Sequence, residues 1–254
     1  MQVGLNLYSI RSFIKETNDF VKTCAKLKEM GYAFVQYSGA PFDSDKINLM
    51  QKQVGLPVVL THVPMDRILN DTANLMEEHG KIGCKNIGLG MMPVATILDE
   101  QKCLQTVKLL DEAGKTMEQN GFKFFYHFHQ FEFCKLSCGM RIIDYMLENC
   151  PHINFTADTY WMQFGGVDVT EYLKKMQGRI DCIHLKDYQI VYQNEKFVPR
   201  FAPLGKGNLN LNEIVKTAKQ SGTKYFLVEQ DDAIDYDDPL NQVKQSVTYV
   251  ANKL

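Results

Sequence analysis

INFTADTYWMQFGGVDVTEYLKKMQGRIDCIHL, residues Ile153–Leu185, contains the unit from which the fold is read. It opens on a short apolar run of β type, INFTAD, and closes on another, RIDCIHL. The polar ends of the two runs, Asp158 and His184, stand 26 residues apart, the separation that one strand, one helix and the next strand require. The same alternation extends in both directions without an interrupting linker. Strand candidates are VGLNLY, YAFVQYS, PVVLTH, KNIGLG, FKFFYHF, INFTAD, RIDCIHL and KYFLVE, beginning at Val3, Tyr32, Pro57, Lys85, Phe122, Ile153, Arg179 and Lys224. Between them lie stretches of helical period. In TNDFVKTCAKLKEMG, Phe20, Cys24, Leu27 and Met30 form one stripe, and Gly31 is placed to cap the end. In DPLNQVKQSVTYVANKL, Asp238 suits the N-cap and Pro239 the first helical position, with Leu240, Val243, Val247 and Val250 at helical spacing. Eight such units predict a single (β/α)8 TIM-barrel domain of class α/β over residues 1–254. A doubly wound open sheet would want a glycine-rich phosphate turn after the first strand, and LYSIRSF has none. The longest connection, Lys186 to Asn210, is the expected substrate-covering loop.

Composition narrows the function. The 254 residues are 45% hydrophobic, and 28 basic against 30 acidic side chains give a net charge of −2. With no basic footprint, nucleic acid is not an expected partner. No apolar run approaches the roughly 18 residues of a membrane helix, and MQVGLNLYSIRSF lacks a secretory pattern. A cytoplasmic protein with no membrane partner is expected, its oligomeric state left open. Seven cysteines without a C-x-x-C pair, Cys134 and Cys138 included, read as reduced thiols rather than a disulfide framework or structural zinc site.

In a parallel barrel the carboxyl ends of all strands open on one face, so polar strand ends can meet there. PVVLTH ends in His62, FKFFYHF carries His127, INFTAD ends in Asp158, IDCIHL carries His184 and KYFLVE ends in Glu229. Three such groups at a buried rim would be costly without a balancing charge. An arc of imidazoles and carboxylates predicts one divalent cation, Mn²⁺, Co²⁺, Zn²⁺ or Fe²⁺, since calcium would want oxygen alone. His62 is equally suited to lining a substrate pocket. In YHFHQFEF, His127 and His129 share one strand face, whereas Glu132 returns to them only if the chain turns. Among these three, one ligand, one supporting partner and one acid or base are expected. The acidic run QDDAIDYDD after Glu229 reads as a solvated loop.

These residues resemble the sugar phosphate isomerase/epimerase family, xylose-isomerase-like barrels that include the endonuclease IV type of DNA repair enzyme. The resemblance rests on VGLNLYSIR, YHFHQFEF (many members read Y-H-N-H-x-x-E-F), ADTYWMQFGGVD (members read L-D-T-x-W-x-x-x-G-x-D), GRIDCIHLKD, PLGKGNLN and VEQD. It implies a catalytic metal on Asp158, His184 and Glu229. Ketose epimerases of the family end the fifth strand in glutamate, and this chain has His127 there. Glu132 is therefore the expected fourth ligand, with His127 the competing choice. The implied reaction is proton abstraction next to a carbonyl of a small carbohydrate through an enediolate, with Glu229 and Glu132 as base and acid. Lys186 is expected to hold a substrate oxygen or stabilise charge, and Trp161 to stack on a sugar, with Tyr8, Arg11, His62, His127 and His129 as further pocket residues. Gly205-Lys206-Gly207 is a weak candidate for phosphate. A metal-dependent lyase or dehydratase on a keto-inositol or keto-glycoside is the alternative. A non-catalytic sugar-binding barrel ranks lower, and a nuclease is disfavoured by the charge.

Overall fold

A computed structural model describes residues 1–254. Its strands are β1 (Gly4–Asn6), β2 (Phe34–Tyr37), β3 (Val58–His62), β4 (Asn86–Leu89), β5 (Lys123–His127), β6 (Ile153–Asp158), β7 (Cys182–Leu185), β8 (Asp187–Gln193), β9 (Lys196–Ala202) and β10 (Tyr225–Val228). β1 to β7 and β10 pair in parallel and close into a barrel. Each of the eight expected runs thus contributes one barrel strand, β6 matching INFTAD in full and the others shorter than their apolar stretches. VGLNLY stops at Asn6 because the Asn6 carboxamide accepts the backbone N–H of Tyr8 and turns the chain into a 3-10 segment, Leu7–Phe13. No helix is long and apolar enough to cross a membrane.

The helices pack outside as their periodicity requires. Thr17–Met30 buries Phe20, Thr23, Cys24 and Leu27, and Gly31 ends it with φ 105°, a left-handed conformation that suits glycine. In the last helix, Pro239–Lys253, the Asp238 carboxylate accepts the Asn241 N–H, and Val243, Val247 and Val250 are buried. The long connection departs from expectation. It is not an irregular loop: β8 and β9 form an antiparallel hairpin outside the barrel.

The interior decides where polar groups can stand. Phe34, Leu60, Phe125, Cys182 and Leu227 form a small apolar cluster of their own inside the barrel. Side chains on one strand face recur every second residue. Two residues further along each of these strands stand Gln36, His62, His127, His184 and Glu229. The polar ring is therefore the next layer above the apolar plug, at the carboxyl mouth. Its register is direct: Asp158 on β6 is paired with His184 on β7, and His184 with Leu227 on β10.

Candidate metal centre and substrate cleft

His127, Asp158, His184 and Glu229, all buried, each offer one ligand atom, and these atoms lie within 4.8 Å of one another. Ligands at about 2.0–2.3 Å from a shared ion are up to about 4.6 Å apart, so the set closes on a cation with small adjustments. The protons around it point the same way. The His127 Nδ1–H donates to the Gly90 carbonyl at 2.9 Å, which leaves Nε2 as a lone pair 3.3 Å from Asp158 Oδ2. The His184 Nε2–H donates to Gln36 Oε1 at 2.7 Å, leaving Nδ1 2.8 Å from Glu229 Oε2 and 3.6 Å from Asp158 Oδ2. Neither His184 Nδ1 nor Glu229 Oε2 has an aligned hydrogen-bond partner. Two imidazole nitrogens and two carboxylate oxygens converging on one buried point are what a divalent cation satisfies, and the donor set fits one.

The remaining lone pairs are held by the scaffold. Asp158 caps the helix Thr159–Phe164, its Oδ1 accepting the N–H groups of Tyr160 and Trp161 at 3.0 Å, so that Oδ2 faces the centre. Asn6 Nδ2 donates to Glu229 Oε1 at 2.7 Å and frees Oε2. Gln36 Nε2 lies 2.9 Å from His62 Nε2, and Ser38 Oγ 3.2 Å from His62 Nδ1, so one carboxamide orients both His184 and His62.

Lys186 adds a fixed charge. Its ammonium lies 3.1 Å from Asp158 Oδ2, 3.1 Å from Glu229 Oε2 and 3.0 Å from Asp231 Oδ2, with the side chain 1% exposed. Burial opposes its charge, but Asp158, Asp231 and Glu229 outweigh that and raise its pKa well above the usual lysine value. Burial opposes ionisation of Asp158 and Glu229 as well. Lys186 and His127 with His184 overrule it, keeping both carboxyls well below the usual range. Burial also disfavours charging His184, yet Glu229 and Asp158 lift its imidazole to about 9. His62 and His129 are neutral, burial and neighbouring histidines lowering both, His129 to about 2.

Above the centre opens a cleft of about 730 Å³ lined by Tyr8, His62, His127, His129, Trp161, Lys186 and Glu229 among others. Arg11 is not among the lining residues. Its Nη1 is spent on the carbonyls of Tyr8 and Asp231, and its guanidinium stacks 4.2 Å from the Tyr8 ring centre. Glu132 is also placed elsewhere than expected. The chain does turn after β5, but Glu132 accepts the Tyr126 hydroxyl at 2.6 Å and the His129 N–H at 2.7 Å, fully buried outside the cleft and the ligand group. Burial raises its carboxyl to about 7 against those two hydrogen bonds. His127, the competing choice, stands in the fourth position. The acidic run is not wholly solvated either: Asp231 lines the cleft beside Lys186, and burial lifts its carboxyl to about 6. Asn6, Gln36 and Asp231 escaped the sequence reading, although the period of two that flagged His127 also flags Gln36.

The model of the xylose isomerase-like TIM barrel family matches residues 24–253. The chain belongs to this family. Among solved structures, a sugar phosphate isomerase/epimerase from Parabacteroides distasonis superposes with a TM-score of 0.81 at 19% identity, over 99% of this chain and 94% of the other. A second from the same organism gives 0.79 at 25% identity, over 99% and 98%. A xylose isomerase-like TIM barrel protein from Mycobacterium smegmatis in complex with magnesium gives 0.73 at 13%, over 98% and 95%. No functionally curated protein matches the sequence. In this xylose isomerase-like barrel the polar ring occupies the carboxyl mouth, the face on which enzymes of the fold carry their chemistry.

Proposed function

We propose that this chain is a divalent-metal-dependent isomerase or epimerase of a keto-sugar, with His127, Asp158, His184 and Glu229 as the ligands. The observation that carries the reading is the convergence of four buried ligand atoms, two of which, His184 Nδ1 and Glu229 Oε2, have no aligned hydrogen-bond partner. When bound, the cation supplies charge that polarises a carbonyl and its neighbouring hydroxyl and offsets an enediolate. The protein's own groups do the proton work. Glu229 lines the cleft as a carboxylate and is the base that removes the proton next to the carbonyl. Asp231, rather than Glu132, is the proposed second acid or base. It lines the cleft, its Oδ1 has no partner, and its carboxyl near 6 exchanges a proton close to neutrality. Lys186 holds positive charge beside the developing oxyanion. Trp161, whose Nε1 is unpartnered, and His129 position hydroxyls.

The test is proton–deuterium exchange followed by NMR on a panel of ketoses and keto-glycosides in D₂O with Mn²⁺ supplied. Exchange next to the carbonyl is expected, and its absence in protein with metal bound counts against enolisation. A second reading, a lyase, draws on His127: with a histidine where ketose epimerases carry glutamate, Glu229 and Asp231 stand two residues apart just past β10, a layout suited to elimination as well. Loss of a β-substituent among the products identifies it.

Two further results are expected. His127→Ala loses stoichiometric metal in elemental analysis, whereas Glu132→Gln and His129→Ala retain it; metal kept by the first and lost by the second restores Glu132 as the ligand. Metal affinity also rises with pH. A raised folded-state pKa means that the protonated His184 stabilises the metal-free protein fully below about 6.5, an effect lost as pH rises through about 9. The cation must displace that proton, so apparent affinity increases by about tenfold per pH unit at most and levels off above about 9. Mn²⁺ titrations followed by electron paramagnetic resonance measure this, and a flat profile removes His184 from the ligand set.

A further inference from the structure

We infer that the cleft takes a neutral sugar carrying an apolar substituent, a keto-glycoside rather than a sugar phosphate. The inference rests on the reading of the site as a keto-sugar enzyme and names its substrate class. Its first support is the loop after the seventh barrel strand. Barrels often grip phosphate there with backbone N–H groups. In this chain those donors are taken. Gly205 and Gly207 donate to Asp187 Oδ2 at 3.0 Å each, and Tyr188 and Leu209 donate to Oδ1 at 2.9 and 3.2 Å. Asp187 is 1% exposed, and a Cβ at Gly207 would strike its carboxylate. The nest that would bind a phosphate is filled by the protein's own anion, which pins the connection instead.

The second support is charge. Lys186 is the one lysine or arginine lining the cleft, and its ammonium is already shared among Asp158, Glu229 and Asp231. A divalent ion and Lys186 together balance those three carboxylates, which leaves no cation to receive a phosphate dianion in a partly desolvated site. The third is the opposite wall, where Phe42, Met65, Leu89 and Met91 present apolar surface, Met91 being 48% exposed. A cleft of about 730 Å³ is larger than one sugar ring needs, and this wall suits an aglycone or the carbon face of a second ring. The free polar atoms near the ring position, Trp161 Nε1 and His129 Nδ1, are neutral partners for hydroxyls.

Trp161 is the only tryptophan and lines the cleft, so its fluorescence reports occupancy independently of turnover. The protein with Mg²⁺ is titrated with D-fructose, D-fructose 6-phosphate, methyl β-D-glucopyranoside and phenyl β-D-glucopyranoside. The phosphorylated ketose is expected to bind about tenfold more weakly than fructose or worse. The phenyl glucoside is expected to bind about tenfold more tightly than the methyl glucoside, a preference that Met91→Ser reduces while leaving the methyl glucoside within about twofold. Fructose 6-phosphate binding as tightly as fructose, or phenyl and methyl glucosides binding alike, overturns the inference. D-Fructose that binds without deuterium exchange next to its carbonyl counts against the enolisation reading alone, the glucosides having no carbonyl and reporting binding only, whereas exchange confined to a phosphorylated ketose overturns this one alone.

Discussion

Glu229→Gln is expected to abolish turnover, lowering deuterium exchange by about 10³-fold or more through loss of the base and of a ligand together. The substitution is nearly isosteric. Asn6 Nδ2 donates to Oε1, so the glutamine places its carbonyl there and turns its NH₂ toward His184 Nδ1 and the Lys186 ammonium. A donor then stands where an acceptor pair for the cation had been, and metal affinity falls by about 10²-fold or more. A reporter besides activity accompanies the loss. Glu229 is the neighbour that contributes most to lifting His184 against burial, so the His184 imidazole of metal-free Glu229→Gln titrates well below its parent value near 9. Retained metal with an unshifted His184 would falsify the role given to Glu229.

Asp158 has two jobs that two substitutions separate. Asp158→Asn keeps an oxygen at Oδ1 to cap the helix Thr159–Phe164 but presents no anion to the centre. It removes one counter-charge of Lys186 while keeping the cap, and it is expected to bind metal about 10²-fold more weakly or not at all. Asp158→Ala loses the same counter-charge and the cap as well, and is expected to be less stable than Asp158→Asn by about 1 kcal/mol in chemical denaturation. Equal stability of the two variants would show that Oδ1 does not cap the helix.

How much of this was readable follows from particular residues. The site was legible because five of the eight apolar runs carry a ligand-type residue at the end that becomes the mouth, and Asp158 and His184 are paired in register there. Gln36 and Asn6 were legible by the same period but are ordinary polar types, and only the interior layer above Phe34 and Leu227 distinguishes them from loop residues. Glu132 was misplaced because spacing says that the chain can turn but not which way the side chain faces; the Tyr126 hydroxyl, six residues earlier, decided it. The hairpin β8–β9 was hidden for a local reason. Its turn is Asn194-Glu195, with φ of 50° and 60°, where hairpins ordinarily announce themselves with glycine, and Pro199 lies within the second strand. Asp187 looked like one more charge after a strand, and only its four N–H donors reveal it as the counter-ion of the glycine loop.

The most direct measurement is a crystal structure of the protein grown with Mn²⁺, with anomalous diffraction recorded to locate the ion. One peak is predicted at the carboxyl mouth, about 2.0–2.3 Å from His127 Nε2, Asp158 Oδ2, His184 Nδ1 and Glu229 Oε2, with Glu132 still bonded to Tyr126. No peak there, or one that Glu132 ligates in place of His127, contradicts the account.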